Sequence, residues 1–439
     1  MAIQAFRAIA LLLPALAIQA VAQGQGAIGA DECVTTYDAN VDYFASKISV
    51  DDAALFKVSY HKNYKVVTNV EKNLQYVLTQ CGTPVPSAAS FPNTTVFVNV
   101  PVKNTASMAT TSVAFIEMLG RRSTLKVVDT EGLVSSPCVQ LGLEKKEIVG
   151  LEDTDLVLRA QQLQGADVIF STFGVEKGSE NKTVIVSDVR DPGPLHAPAQ
   201  NLTANINNNY NCFKSAANAK GAAKPIVAWT QFVAPASYNN NTASWTLSGA
   251  DYKRILSTDA GATFFNGTDK SSFLSPSEFH AAIKDVDVII DETMTGANFT
   301  SFITNYNFTS ADEANYKFLK NKAVFRQDGL VNPGDGRDWF AGAVVMNDAV
   351  LQDIVRAVHP EVLPASVHYN WIRNIAKEEP KQVLTSANCT AVDATKPVPD
   401  RALVCKDMKA GGNVSAASTK SIAGAFSAVL GLLAVALTL

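Results

Sequence analysis

The sequence predicts an α/β protein built as two lobes joined by a connecting helix, and three observations carry that prediction. From Thr95 onward short apolar runs alternate with helix-length segments, the pattern of strands feeding crossover helices in a parallel sheet covered on both faces. The same alternation returns after Pro225, so the chain contains two similar α/β halves. Between them, Leu202, Ile206, Tyr210, Phe213 and Ala217 fall at helical spacing.

Taken in order, residues 1–22 read as a secretory leader: Arg7, an apolar stretch over 8–18, then Ala20-Val21-Ala22 as the small-x-small cleavage signature before Gln23. Residues 23–196 form the N-terminal lobe. Within it, 55–81 alternates apolar and polar residues, which predicts an antiparallel strand meander, and a proline-bearing loop over 83–92 closes it. There follow a strand over 96–100, a helix over 111–119, a strand over 126–128, a helix over 155–163 capped by Asp153 or Thr154, and a strand over 168–170 that ends in Ser171-Thr172-Phe173.

Residues 197–224 are the connecting helix, weakened by Asn207-Asn208-Asn209. The C-terminal lobe, 225–375, carries a strand over 226–229 and a helix over 248–257. Ser275-Pro276-Ser277-Glu278 then reads as a capping box with proline at the first helical position, opening a helix that ends near Lys284. A buried strand over 286–290 ends in Asp291-Glu292-Thr293. Ligands of open α/β sheets collect at the carboxyl ends of the strands, so two such lobes face each other across a cleft.

Residues 376–413 are a disulfide-closed tail and spacer, and 414–439 a propeptide. The last 18 residues, 422–439, are apolar without a single charge, and no basic residue follows them. A spanning helix needs about 20 apolar residues and usually a charged flank. Small residues at 410–413, a polar spacer over 414–421 and the apolar end instead have the layout of a GPI-attachment signal. Asn413 is the expected attachment residue, with Gly411 and Gly412 as rivals; the alternative is a retained tail-anchor helix. The expected address is the outer leaflet of the plasma membrane at the cell surface, reached by the secretory route.

The cysteines support that address. There are six, Cys33, Cys81, Cys138, Cys212, Cys389 and Cys405, with no CxxC or Cys/His cluster, so disulfides are expected rather than a metal site. Short closed loops favour Cys389 with Cys405 and Cys33 with Cys81, which leaves Cys138 with Cys212. N-glycosylation sequons begin at Asn93, Asn181, Asn201, Asn240, Asn266, Asn298, Asn307 and Asn388; the one at Asn413 is lost if that residue carries the anchor. A formal net charge of -4 and the absence of a basic stripe give no reason to expect a nucleic-acid partner. The motif Gly24-x-Gly26-x-x-Gly29 follows a cleavage site and not a strand, so it is no dinucleotide fingerprint, and there is no GxSxG, HExxH or P-loop. The histidines, His61, His196, His280, His359 and His368, are scattered, and no cofactor or metal is expected.

Residues 321–364, NKAVFRQDGLVNPGDGRDWFAGAVVMNDAVLQDIVRAVHPEVLP, place a strand, a loop, an aromatic residue and a final helix ending in His-Pro-Glu in that order. This block resembles the closing block of class III periplasmic binding proteins, the receptors of bacterial importers for iron-siderophores, haem and cobalamin. Tyr60 to Val67 and Cys81-Gly82-Thr83-Pro84 resemble that family's early strand region. Thr110 to Phe115 with Leu119-Gly120 resemble the helix start of its first lobe, and Trp245, Tyr252 and Asp259-Ala260-Gly261 its second lobe. The resemblance spans about residues 40–375. It implies two Rossmann-like lobes of the helical-backbone, periplasmic-binding-protein-like type with limited hinge motion, and binding without chemistry. The chain departs from the bacterial pattern in lacking a lipobox cysteine, in its sequons and in its GPI-type tail, which points to a eukaryotic, fungal member.

The candidate ligand residues are the polar and aromatic groups at these strand ends. Thr110, Thr111 and Ser112 start a helix, where N–H groups favour an anion or the side chains simply cap. Ser135, Ser136 and Thr172 follow strands and line a cleft or an ordinary loop. Trp229 and Thr230 end a strand; the tryptophan stacks on a flat ligand or fills the core. Glu292 ends a strand, where it meets an amine or a metal, yet alone it makes no metal site. Arg337, Asp338 and Trp339 follow the loop Gly334-Asp335-Gly336, where the arginine clamps a negative charge or pairs with its neighbours. The expected function is a surface-anchored binding protein for a small molecule of the metal-chelate, siderophore, haem or corrinoid class, of the kind used in iron/siderophore transport. Two rivals stand beside it: a cell-wall hydrolase using Asp291/Glu292 with Asp338, and a structural or adhesive surface glycoprotein.

Overall fold

The computed structural model describes residues 32–44, 47, 56–172, 174–186, 200–219, 224–267 and 270–405. The expected leader, the expected attachment residue Asn413 and the apolar run over 422–439 lie outside the described residues. The architecture is mixed α/β in two lobes. It opens with β1 (Phe56–Tyr60), β2 (Tyr64–Asn69) and β3 (Leu74–Gln80), the antiparallel meander that the alternation predicts, and β4 (Val96–Val100) then joins parallel to β3.

The first α/β unit runs β5 (Thr105–Ser107), α1 (Thr110–Met118), β6 (Leu125–Val128), α2 (Pro137–Glu144), β7 (Val149–Gly150), α3 (Leu156–Gln164), β8 (Val168–Ser171) and β9 (Thr183–Ile185). Its five strands are all parallel, in the order β7-β6-β5-β8-β9. Parallel strands are buried on both faces, and the side chains divide by their two-residue period, save that an irregularity in the β5–β6 register sets Leu125 and Val127 on opposite faces. Ala106, Val127 and Ile169 pack with Leu163 on the α3 side, whereas Leu125, Val128, Val168 and Phe170 face α1.

The connecting helix α4 (Gln200–Asn218) forms where the spacing predicts it, with Ile206, Phe213 and Ala217 buried. The second unit runs β10 (Ile226–Val233), β11 (Ser244–Leu247), α5 (Asp251–Asp259), β12 (Thr263–Phe265), β13 (Ser272–Phe273), α6 (Pro276–Ala282), β14 (Val288–Asp291), α7 (Phe299–Asn305) and α8 (Lys317–Lys320). It continues with β15 (Val324–Arg326), β16 (Leu330–Val331), α9 (Gly342–Val345), α10 (Asn347–Val358), β17 (Arg373–Asn374) and β18 (Gln382–Val383). β10, β12, β14 and β15 are parallel, β11 and β17 run antiparallel to them at the flanks, and β13 pairs antiparallel with β11; β16 and β18 pair separately. Val227, Trp229, Val288 and Ile290 face one core, and Ala228, Ile289 and Val324 the other.

One hydrophobic core runs through both lobes. It joins Val113, Phe115 and Ile116 of α1 to Val344 and Val345 of α9, Ile354 and Val355 of α10, and Phe213 of α4. Thr111 to Met118 of α1 are buried without interruption, as befits a helix enclosed on all sides. The lobes are thus welded rather than hinged on a solvated gap.

Several expectations are corrected. The cap of α3 is Asp155 itself, whose carboxylate accepts from the Val157 and Leu158 N–H groups at 2.9 and 3.0 Å; Asp153 and Thr154 stand two residues and one residue too early. Ser275 precedes Pro276 as expected, yet no side-chain cap bond forms there, because its hydroxyl meets Ser277 and Glu278 pairs with Lys270 at 2.6 Å. The helix expected over 248–257 starts at Asp251. The bond Cys33–Cys81 forms as expected, but Cys389 is joined to Cys138 and Cys405 to Cys212. The tail is therefore not closed on itself: it returns to α2 and α4, and tertiary placement outweighs the shortness of the loop. Of the sequon asparagines, Asn93, Asn181, Asn240, Asn266, Asn298, Asn307 and Asn388 are exposed, accessible to a glycosylating enzyme.

Candidate functional site

A cavity of about 260 Å³ lies on the lobe interface, walled by α1, the start of α2, α9 and the tail. Thr110, Ser135, Ser136 and Asp338, four of the residues singled out in the sequence, line it. Two features bring them together. Thr110 starts α1 directly after β5, and Ser135 and Ser136 precede α2, which Ser136 caps by accepting from the Val139 N–H at 3.2 Å. Asp338 is delivered from the second lobe by the glycine loop: a Cβ at Gly336 would come within 2.9 Å of the Leu133 Cα, so only glycine lets the lobes approach this closely.

Hydrogen bonds close the seam around the cavity. The Ser135 hydroxyl donates to Asp338 Oδ1 at 2.6 Å, and Thr111 Oγ1 donates to the Phe340 carbonyl at 2.8 Å. Asn332 Nδ2 donates to the carbonyls of Gly132 and Val134 at 2.7 and 3.1 Å. Asp338 also accepts from Trp371 Nε1 at 2.8 Å, and the Arg401 guanidinium stands 3.8 Å from its Oδ2. On the α1 side Glu117 is buried, paired with Arg122 at 3.3 Å. Burial pushes its carboxyl up, opposed by the Ser136 hydroxyl and by Arg122.

The other candidates lie elsewhere. Trp229 is fully buried, donates to Ser257 Oγ at 3.1 Å and packs 6.0 Å from the equally buried Trp339, so both are core residues. Thr230 accepts from the Tyr306 hydroxyl at 2.9 Å. Glu292 pairs with Lys253 at 2.6 Å. Arg337 donates to the carbonyls of Thr293 and Met294 at 2.9 and 3.3 Å, and burial together with Arg326 pushes its guanidinium down. Ser112 is buried in the core, and Thr172, directly after β8, is not among the residues that line the cavity. Asp291 is tied to Arg326, Thr293 and Tyr306, so the trio Asp291, Glu292 and Asp338 engages three separate sets of partners and does not converge on one point. No group of three His, Cys, Asp or Glu that could hold a metal ion occurs among the described residues.

Sequence reasoning missed Glu117, Asp400, Arg401 and Trp371. Glu117 had a signal: a single carboxylate inside the apolar run Val113-Ala114-Phe115-Ile116-Glu117-Met118 has to find a buried partner. Asp400 and Arg401 had none, because only the path of the tail brings them to the cavity.

No family model matches the chain, and no curated protein matches it. Among solved structures, a periplasmic heme-binding protein from Pseudomonas aeruginosa aligns at 13% identity and a TM-score of 0.43, covering 62% of this chain and 98% of that one. The periplasmic heme-binding protein HutB of Vibrio cholerae aligns at 15% identity and 0.41, covering 58% and 99%. CeuE of Helicobacter pylori, in a nickel–histidine complex, aligns at 13% and 0.40, covering 60% and 85%. With TM-scores below 0.5, these likenesses carry no argument about the site.

Proposed function

We propose that this chain is a non-enzymatic solute-binding protein of the cell surface that holds a small ligand in the cavity on the lobe interface. The observation that carries the reading is the convergence of Thr110, Ser135, Ser136 and Asp338, from two lobes, on one largely apolar cavity. A few placed polar groups in an apolar recess are what small-molecule sites are made of. Binding rather than chemistry is supported by the carboxylates: Asp338 and Glu117 already hold hydrogen-bond or ion-pair partners. The extracellular, GPI-attached address is supported by the leader and tail patterns, by three disulfides and by the exposed sequons.

The volume limits the ligand. About 260 Å³ is below the roughly 300–1,000 Å³ of sites for drug-sized molecules, so the cavity takes a small solute, and a haem, corrinoid or siderophore chelate needs the tail withdrawn. The test is mass spectrometry of the protein purified from its native host, followed by titration of the secreted protein with the co-purifying molecule. A small molecule retained by the wild type and lost from S135A and D338N supports the reading. Turnover of a wall glycan with no ligand bound would sink it. A second reading, a structural surface glycoprotein, is favoured by the hydrogen-bonded seam and is the outcome if no solute binds.

A further inference from the structure

The tail between its two disulfides forms a strap over the cavity. Cys389 fixes one end to α2 and Cys405 the other to α4. In between, the backbone is sewn to the first lobe: Arg122 donates to the carbonyls of Ala391 and Val392, the Ser123 N–H to the Ala394 carbonyl at 3.1 Å, and the Val398 N–H to the Glu117 carbonyl at 3.4 Å. Along this path Thr390, Ala391, Val398, Pro399, Asp400 and Arg401 form part of the cavity wall.

Arg401 has the contacts of a bound molecule. Its guanidinium lies 5.8 Å from the centre of the Trp371 ring and 3.8 Å from Asp338 Oδ2, a cation over an aromatic face beside a carboxylate. The side chain is 29% exposed, against 4% for Asp338, so the arginine sits at the mouth and the carboxylate behind it. The strap gives Arg401 little other support: the neighbouring bonds, Ala402 N–H to Asp400 and Leu403 N–H to Gln352 Oε1 at 2.7 Å, are made by backbone groups and do not depend on the guanidinium.

We propose that Arg401 is an intramolecular stand-in for the solute, and that the solute is an organic cation, a guanidinium or ammonium group on an apolar body, which is admitted by displacing Arg401 from Asp338 and Trp371. This rests on the solute-binding reading above and gives that solute a chemical class. The apolar body matches Val113, Val134, Val345 and Met346 in the wall. The strap stays tethered through both disulfides while the arginine swings out.

The experiment uses the full secreted chain and its variants R401A and R401M, the second keeping an aliphatic stem over Trp371. n-Butylguanidinium and n-butylammonium are the probes, with n-valerate and n-butanol as matched anionic and neutral controls. Binding is read by calorimetry and by the shift in melting temperature. The expected result is at least tenfold tighter binding of both cations to R401A and R401M than to the wild type, abolished by adding D338N, with no gain for valerate or butanol. Equal gains for all four probes would overturn the cation assignment while leaving solute binding intact. No gain for any probe, in variants that melt as cooperatively as the wild type, would overturn Arg401 as a stand-in. A solute co-purifying with the wild type then tests the solute-binding reading on its own.

Discussion

Replacing Asp348 by asparagine should stabilise this protein, increasingly so as pH rises. Asp348, at the start of α10, is fully buried; its oxygens accept from Asn209 Nδ2 at 3.1 Å and from the Ala349 N–H at 3.0 Å, and it meets Asp400 of the strap. Burial first, then the Asp400 carboxylate, pushes it up from 3.8 to about 8. A carboxyl that is neutral in the fold and ionised in the unfolded chain must take up a proton to fold. Its penalty is therefore absent below pH 3.8, grows by about 1.36 kcal/mol per pH unit above that, and levels off near pH 8. It is on the order of 4 kcal/mol at pH 7 and on the order of 2 kcal/mol at pH 5. Asparagine removes that charge: its amide donates to Asp400 and its single oxygen keeps one of the two accepted bonds, so about 1 kcal/mol is lost against a larger gain at pH 7. Urea unfolding followed by tryptophan fluorescence from pH 4 to 9 should show D348N gaining on the wild type up to about pH 8 and then running parallel to it. A constant difference across that range, or a less stable D348N at pH 7, would refute the reasoning.

Asp353 should respond in the opposite sense although it too is buried and raised, to about 6. Its carboxylate accepts from the N–H groups of Asn370, Trp371 and Ile372 at 2.8, 2.6 and 2.9 Å, so D353N turns an amide donor toward donors and should cost about 1–3 kcal/mol in urea unfolding at pH 8. Trp229→Ala should cost about 3–5 kcal/mol in the same measurement, marking a core residue. The double variant C138A/C389A removes a cross-link between residues 251 apart in sequence and should lower stability by about 2–5 kcal/mol, with intact-mass analysis showing the other two disulfides closed.

The parts of this fold that depend on local pattern were legible. The alternation over 55–81 became β1 to β3, the short apolar runs became the parallel strands β6, β8, β10 and β14, and the helical spacing of Ile206, Phe213 and Ala217 became α4. Period 2 and period 3.6 are imposed by backbone geometry, and apolar side chains must follow them wherever one face is buried. Very short strands such as β7, β16 and β18 escaped, because two residues carry no period. Half-exposed flanking strands such as β11 escaped for want of a continuous apolar run.

The site divides along the same line. Sequence placed Thr110 at a helix start and Ser135, Ser136 and Asp338 after a strand or a loop, and they meet; it placed Trp229 and Thr230 at a strand end, and they are interior. Position at the end of a strand is a local property, whereas which way that end faces depends on the packing of the second lobe. The disulfides show the limit most plainly. The number and identity of the cysteines follow from the chain alone, and proximity in sequence suggested Cys389 with Cys405. The fold sent those two residues to different helices, because the strap satisfies Arg122, Glu117 and Gln352 along its way, and a cross-link records where the chain has packed, not how short a loop it could close.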